Sequence, residues 1–413
     1  MNSNPGFAPA ARPHPRLAKR FLALNDFEPA ARAFLPRPIF GYISGATETN
    51  ASLRDNLGVF DEWGFVPRAL VNVSQRDTGI HLFGRHYQSP IGIAPMGVSA
   101  LSAYRGDIVQ ARAALGQGVP MILSGTSLIK METVMEAAPG TWFQAYMPRH
   151  PSEVSSFVER IEKAGVPVLV VTVDAAVTPN RENNVRNNYK TPLQPSFSLL
   201  WSGLTHPRWA LGTFLRTLIQ HGMPHFENLG TERGLPLVAR DMSRDFSGRE
   251  HLDWESLKAI RRQWQGPLVV KGLLHPDDAV QAKNLGADGI IVSNHGGRQL
   301  DGAVSPLHVL EAIVAASGPM TVMIDSGFRR GTDVLKALAL GAKCAFVGRP
   351  FNYAAAIAGE AGVDHAIALL AAEVRASLGL LGLTRIDQLN PAVLMRRQIR
   401  PQARGRQKDA RYR

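Results

Sequence analysis

Residues 268–300 read LVVKGLLHPDDAVQAKNLGADGIIVSNHGGRQL, two apolar runs flanking a stretch of helix length. Leu268–Gly272 and Gly289–Asn294 are rich in Val and Ile without polar alternation, the pattern of strands buried on both faces. Asp277–Leu285 between them is amphipathic. Moving outward, the unit recurs. Further strands are predicted at Ile91–Pro95, Met121–Ser124, Trp142–Met147, Val168–Asp174, Thr321–Asp325 and Ala345–Gly348. Helical patterns such as Gly106–Gly116, Pro151–Ala164 and Thr332–Leu340 lie between them. Eight strand–helix units in series point to an α/β fold, a TIM (β/α)8 barrel, with a doubly wound open sheet as the competitor.

The rest of the chain is arranged around that barrel. Residues 1–28 read as a disordered N-terminal tail, and Pro29–Ser44 as a helical segment leading into the domain. The barrel domain spans 29–390, and residues 391–413 form a basic C-terminal tail. A long insert, 175–250, separates the fourth strand from its helix; loops of that length are usually lids or binding loops. Within it Trp201–Met223 mixes Trp, Leu and Phe with Arg and His. That stretch reads first as a packed lid, then as an oligomer contact, then as a membrane-surface patch.

Of 413 residues, 45% are hydrophobic and 19% charged, enough to bury a large core and unlike a disordered chain. The net charge of +12 is concentrated: Arg396–Arg413 carries eight Lys/Arg against Asp409. A solvated tail is the first reading, and contact with an anionic membrane surface the second. Nucleic-acid binding is not expected, since the tail has one aromatic, Tyr412, and no recognition module accompanies it. Cys344 is the single cysteine, so neither an intrachain disulfide nor a thiolate metal site is expected. The first twenty residues lack the apolar segment of a secretory signal, and no uninterrupted run is long enough to span a bilayer. A cytoplasmic protein follows, with peripheral contact at the inner face of the cytoplasmic membrane as the further reading.

In a (β/α)8 barrel the chemistry sits at the C-terminal ends of the strands. Here the strands end in Pro95-Met96-Gly97, Ser124, Gln144 with Tyr146, Thr172 with Asp174 followed by Arg181, Lys271, Ser293-Asn294-His295-Gly296-Gly297-Arg298, Asp325-Ser326-Gly327 with Arg329, and Gly348-Arg349. Gly-rich turns beside Arg329 and Arg349 suit a phosphate. Neither GxxxxGK[ST] nor GxGxxG after the first strand is present, which disfavours ATP and dinucleotides. A phosphorylated ring cofactor across the barrel mouth fits the remaining groups, with Lys271 neutralising charge on the ring. Arg181 and Arg298 can clamp a carboxylate, His295 can accept a proton near neutral pH, and Asp174 can orient its imidazole. Together these indicate oxidation at the carbon beside a carboxylate. His150 and His275 also follow strands and read as rim residues.

The segment Ser293–Asp301, SNHGGRQLD, resembles the signature of the FMN-dependent 2-hydroxy-acid oxidase and dehydrogenase family. The resemblance runs over roughly residues 30–385 and takes in Ile93-Ala94-Pro95, Thr172-Val173-Asp174, Val270-Lys271-Gly272, Arg329–Asp333 and Val347–Pro350. It implies His295 as catalytic base with Asp174 as its partner. It also implies Arg181 and Arg298 on the substrate carboxylate, with Tyr146 hydrogen-bonding the substrate. FMN would be held by Pro95, Met96, Gly97, Ser124, Gln144, Thr172, Lys271 and Ser293 around the ring. Asp325, Gly327, Arg329, Gly348 and Arg349 would serve the ribityl chain and phosphate. The family's N-terminal active-site tyrosine falls at Tyr42, in a segment one residue short, with a structural aromatic as the alternative. Ser326 replaces the usual glycine, which is tolerable only if φ there is not strongly positive. Thr126 stands where glycolate oxidases carry Trp, implying a larger substrate. Segment Thr205–Trp209 is similar to the bacterial lactate and mandelate dehydrogenase branch, where a segment at this place can face the membrane. The resemblance implies a homotetramer and an electron acceptor that is a quinone, a cytochrome or oxygen. The alternatives are an oxidase producing hydrogen peroxide and an FMN-binding barrel isomerase without net redox.

Overall fold

Along each of the short apolar runs, side chains alternate between the inside and the outside of a closed sheet. The computed structural model describes residues 15–189, 197–238 and 249–397. Its central sheet consists of β1 (Ile91–Ile93), β2 (Ile122–Ser124), β3 (Trp142–Ala145), β4 (Leu169–Thr172), β5 (Leu268–Leu273), β6 (Gly289–Val292), β7 (Thr321–Asp325) and β8 (Ala345–Val347). All neighbours pair in parallel, and β8 pairs back to β1 through Ala345 opposite Ile91. A parallel bridge between Ile93 and Met121 joins β1 to the residue before β2, so the sheet closes as a barrel and not as an open, doubly wound sheet.

The alternation explains both the core and the site. Ile122, Trp142, Val170, Val269, Ile291, Met323 and Phe346 form one cluster inside the barrel. Their neighbours, such as Leu169, Val171, Leu268, Val270, Ile290 and Val292, belong to a second cluster beneath the helices. Two residues further along the same strands stand Ser124, Gln144, Thr172, Lys271, Ser293, Asp325 and Gly348. One pleat above the apolar layer, the inward side chains therefore become polar, and the mouth is lined by Ser124, Lys271, Asp325 and Gly348. The bottom is plugged by the hairpin Ile80–Leu82 with Arg85–Tyr87, whose Phe83 and Tyr87 pack against Trp142.

Several boundaries differ from expectation. The N-terminal tail is shorter than 1–28: Pro15–Arg20 is helical, and Phe21, Leu24 and Phe27 are buried. Phe21 stacks on Phe27 at 4.3 Å, and the carbonyl of Phe21 lies 2.9 Å from His365 Nε2 of the last helix. The leading helix is two, Phe27–Phe34 and Arg37–Ser44, because Pro36 forces Leu35 into an extended conformation. At the other end Leu394–Arg396 leaves the tail to pair antiparallel with Trp63–Phe65. Residues 1–14 and 398–413, which hold most of both expected tails, lie outside the described residues, as do 190–196 and 239–248 of the insert.

The described insert folds into helices at Glu182–Arg186, Phe197–Thr205 and Pro207–His221, the last containing a π-helical stretch. Trp209 is its anchor, buried and donating its indole N–H to the Leu101 carbonyl at 2.7 Å. Arg349–Leu380 is long and apolar enough to cross a membrane by length and composition, but half of its most apolar 18-residue window is buried inside the protein and it breaks at Ala358–Gly359. Cys344 is buried and its thiol is pushed far up by burial, as expected of a structural residue. Trp142→Ala would empty the interior layer and cost about 3–5 kcal/mol, read as a lower urea midpoint with an unchanged slope.

Candidate active site

Strand β4 carries Thr172 inward and turns through Val173 to Asp174, while β6 ends at Val292 and enters a turn of left-handed residues. His295, Gly296 and Gly297 have φ of 57°, 66° and 74°. Histidine tolerates that region better than most residues. The turn brings the His295 ring against Asp174, with Nδ1 2.8 Å from Oδ1. Because a carboxylate only accepts, Nδ1 carries the proton and Nε2 keeps its lone pair. Burial lowers the imidazole's proton affinity below that of an ordinary histidine, and Asp174 only partly opposes this. Burial works against the Asp174 charge too, but His295 and Lys271 outweigh it and hold its pKa below the usual carboxylate value.

Lys271 lies behind this pair, nearly inaccessible, with Nζ 3.0 Å from Asp325 Oδ2 and 2.8 Å from Ser293 Oγ. Burial disfavours its ammonium, yet Asp325 and Asp174 more than compensate, so its pKa is raised and it stays charged. Four arginines converge nearby. Arg298 donates to the carbonyls of Tyr42 and Gly45, both at 2.7 Å. Arg349 donates to Ile43, Gly45 and Gly296 carbonyls at 2.9–3.0 Å. Arg181 reaches the Arg298 carbonyl at 3.2 Å and Gln299 Oε1 at 3.0 Å. Arg329 donates to the Phe328 carbonyl. Among the described residues no carboxylate pairs with any of the four. Burial and the charge of Arg298 depress Arg349 to about 9 and Arg181 to about 10. Partly buried cations held by carbonyls, with no carboxylate to cancel their charge among the described residues, make a strongly anion-seeking site.

These groups line one cavity of about 520 Å³, together with Pro95, Met96, Gly97, Thr126, Tyr42, Tyr146 and Tyr189. A family model for FMN-dependent dehydrogenases matches residues 31–396. The chain belongs to that family. It is 37% identical over 381 residues to the (S)-mandelate dehydrogenase of Pseudomonas putida, an alignment covering 92% of this chain and 95% of that protein. It is 36% identical over 379 residues to an L-lactate dehydrogenase of Alcaligenes faecalis, covering 90% and 98%. Among solved structures, a monotopic membrane (S)-mandelate dehydrogenase superposes with a TM-score of 0.82 at 35% identity, covering 91% of this chain and all of that one. A mandelate oxidase bound to 3,3-difluoro-2-hydroxy-3-phenylpropionic acid gives 0.75 at 34% identity, covering 91% and 98%.

The cavity of this FMN-dependent dehydrogenase suits its cofactor. Gln144 is buried with its Nε2 unpartnered among the described residues, while its Oε1 accepts from Gly125 N and Ser124 Oγ at 3.3 Å. A donor so placed fits a heteroaromatic ring rich in acceptors. Gly97 leaves a cradle, since a Cβ there would meet Thr126 Oγ1 at 2.3 Å. Gly327 is obligatory, with φ of 90° and the Asn56 carbonyl 1.9 Å from where a Cβ would stand. Arg329 and Arg349 supply cations for a phosphate.

All the strand-end residues picked from sequence are at this end of the barrel, and Tyr42 joins them. Its ring stacks on Tyr189 at 4.4 Å and lies 4.9 Å from the Arg298 guanidinium. Ser326 departs from expectation: φ is 82°, strongly positive, at a strain of about 1–2 kcal/mol. His275 caps a helix, its Nδ1 accepting from Asp277 N, and His150 stands at a helix start, both on the rim. The sequence reading missed Tyr189, Phe226 and Arg249, which line the cavity from the insert, Arg249 lying 3.8 Å over the Tyr146 ring. It also passed over Gln299, whose amide fixes the Asp174 carbonyl at 3.0 Å; only its place in the quoted nonapeptide signalled it. The His295 imidazole is expected to titrate below about 6.5, and lower still in Asp174→Asn, which removes the group opposing the shift; pH titration of its Cε1–H resonance reads both.

Proposed function

We propose that this enzyme oxidises an L-2-hydroxy acid to the 2-oxo acid, with His295 as base and Arg181 and Arg298 holding the carboxylate. The observation that carries this reading is an imidazole locked by Asp174 in the Nδ1–H form, in one cavity with Arg181, Arg298, Arg329 and Arg349, none of which has a carboxylate partner among the described residues. When bound, FMN would supply the acceptor for the two electrons and for the second of the two hydrogens that leave the substrate. Arg181 and Arg298 orient the substrate so that its reacting end meets His295 Nε2, which takes one proton. Asp174 stabilises the imidazolium so formed, and Tyr146 hydrogen-bonds the substrate oxygen. Lys271, kept charged by Asp325, supplies a fixed positive charge at the cofactor ring. Pro95, Met96, Gly97, Ser124, Gln144, Thr172 and Ser293 form the ring's seat, and Asp325, Gly327, Arg329, Gly348 and Arg349 the site for its chain and phosphate.

The substrate class extends beyond glycolate. Thr126 is small and bonds back to Ser124 Oγ at 3.0 Å, and Val177, Tyr189 and Phe226 give the cavity apolar walls. The two sequence relatives are lactate and mandelate dehydrogenases, which supports an acceptor other than oxygen, while a mandelate oxidase is among the similar structures and keeps the oxidase as the alternative. His295→Ala would slow anaerobic flavin reduction by L-lactate or L-mandelate by about 10²–10⁴-fold while FMN stays bound. Near-normal reduction would remove His295 as base, and a wild-type flavin unbleached by every 2-hydroxy acid would favour the isomerase reading.

The same proposal includes peripheral membrane contact at the cytoplasmic face. Trp201, Leu204, Leu211, Leu215 and Ile219 are exposed on the helices of the insert. The patch is seated on the barrel through Trp209 and through Tyr104, whose hydroxyl lies 2.8 Å from His221 Nε2. Replacing Trp201 and Leu211 by Ser is expected to reduce co-sedimentation with phosphatidylglycerol-containing vesicles about ten-fold or more, at unchanged flavin reduction by hydroxy acid.

A further inference from the structure

We propose that Ser326 is a positioning residue that fixes the His295 turn from the neighbouring strand, at the expense of strain in its own backbone. The inference rests on His295 being the base. Three consecutive amides of that turn are each taken up by a side chain. His295 N donates to Ser293 Oγ at 3.0 Å, Gly296 N to Ser326 Oγ at 3.0 Å and Gly297 N to Asn294 Oδ1 at 3.1 Å. Ser293 and Asn294 belong to the turn itself. Ser326 alone reaches it from β7, so it alone ties the turn to another strand through these bonds.

The tie continues. Ser326 Oγ donates to Asp325 Oδ1 at 2.8 Å, Asp325 Oδ2 accepts from Lys271 Nζ at 3.0 Å, and Lys271 donates to Ser293 Oγ at 2.8 Å. The circuit leaves from the amide of Gly296 and returns at the amide of His295, enclosing the peptide unit that orients the imidazole. Every hydroxyl in it uses chemically available sites: Ser326 donates once and accepts once, and Ser293 accepts twice.

Glycine would suit the Ser326 backbone better, since φ is 82° and a side chain there is strained. It would also leave the Gly296 amide and Asp325 Oδ1 without the hydroxyl that joins them. Strain retained at a residue whose hydroxyl does this work marks a stability-for-function exchange. Held on both sides, the turn keeps His295 half-buried against Asp174; released, the imidazole gains more water and its depressed proton affinity rises toward the ordinary value.

Two substitutions in the holoenzyme separate the effects. Ser326→Gly is expected to raise the melting temperature. It should speed hydrogen exchange of amides 295–297 about ten-fold, lower kcat about ten-fold with little change in KM, and move the acid limb of kcat/KM to higher pH. Ser326→Thr keeps the hydroxyl but adds a branched side chain at positive φ, so it should melt lower while rescuing exchange rate, kcat and acid limb relative to Ser326→Gly. Unchanged exchange in Ser326→Gly overturns the inference, as does a wild-type acid limb in that variant. Should Ser326→Thr not fold, Ser326→Gly decides alone, because glycine fits the backbone. Faster exchange in a protein whose wild-type flavin no hydroxy acid reduces would leave the tether standing and sink the catalytic reading instead.

Discussion

An ammonium buried as deeply as that of Lys271 is costly without an opposite charge beside it, and in this barrel Lys271 and Asp325 satisfy each other across the strand that lies between them. Neither could stand alone at that depth. Their pairing needs β5, β6 and β7 in the register observed, with Lys271 opposite Ile291 and Met323 opposite Ile291 from the other side. A slip of one residue would turn both charges outward into the helix layer. Closure of the sheet, the apolar layer below and the polar layer above are therefore parts of one requirement.

The charge balance around that pair is deliberately unfinished within the protein. Lys271 is neutralised internally, whereas Arg181, Arg298, Arg329 and Arg349 are held by backbone carbonyls. Carbonyl dipoles orient a guanidinium without cancelling its charge, so the site keeps its attraction for anions. Two anions suit it, one phosphate and one carboxylate, which matches an FMN-dependent enzyme of hydroxy acids. The His295–Asp174 pair follows the opposite logic. His295 is partly buried near cations, which disfavour its protonation, and Asp174 is kept ionised by His295 and Lys271. One field thus sets an acceptor and its stabiliser side by side.

The insert supplies what the barrel lacks. Strand ends give the polar side chains at the barrel mouth, but Tyr189, Phe226 and Arg249 reach the cavity from segments with no regular spacing to mark them. Its outer helices carry apolar side chains on one side and are pinned on the other by Trp209. A single excursion of the chain thereby walls the substrate cavity and presents an exposed apolar surface.

The sequence by itself determined the eight strands and the polar residues at their ends, and favoured a barrel over an open sheet, while the pairing of β8 with β1 and the Ile93–Met121 bridge decided the closure. Period-two alternation within buried runs leaves one inward series per strand, and that series switches from apolar to polar at the same level in most of them. Gly106–Gly116 was even legible to the residue, bounded by turn signals on both sides. Sequence spacing could not show that Phe21 and Phe27 dock on the final helix, or that Leu394–Arg396 pairs with Trp63–Phe65, because those contacts join residues some three hundred positions apart. Nor could it decide the conformation at Ser326. Only the tertiary structure places Gly296 and Asp325 on either side of that hydroxyl, and those two hydrogen bonds are what hold a serine where glycine would be at ease.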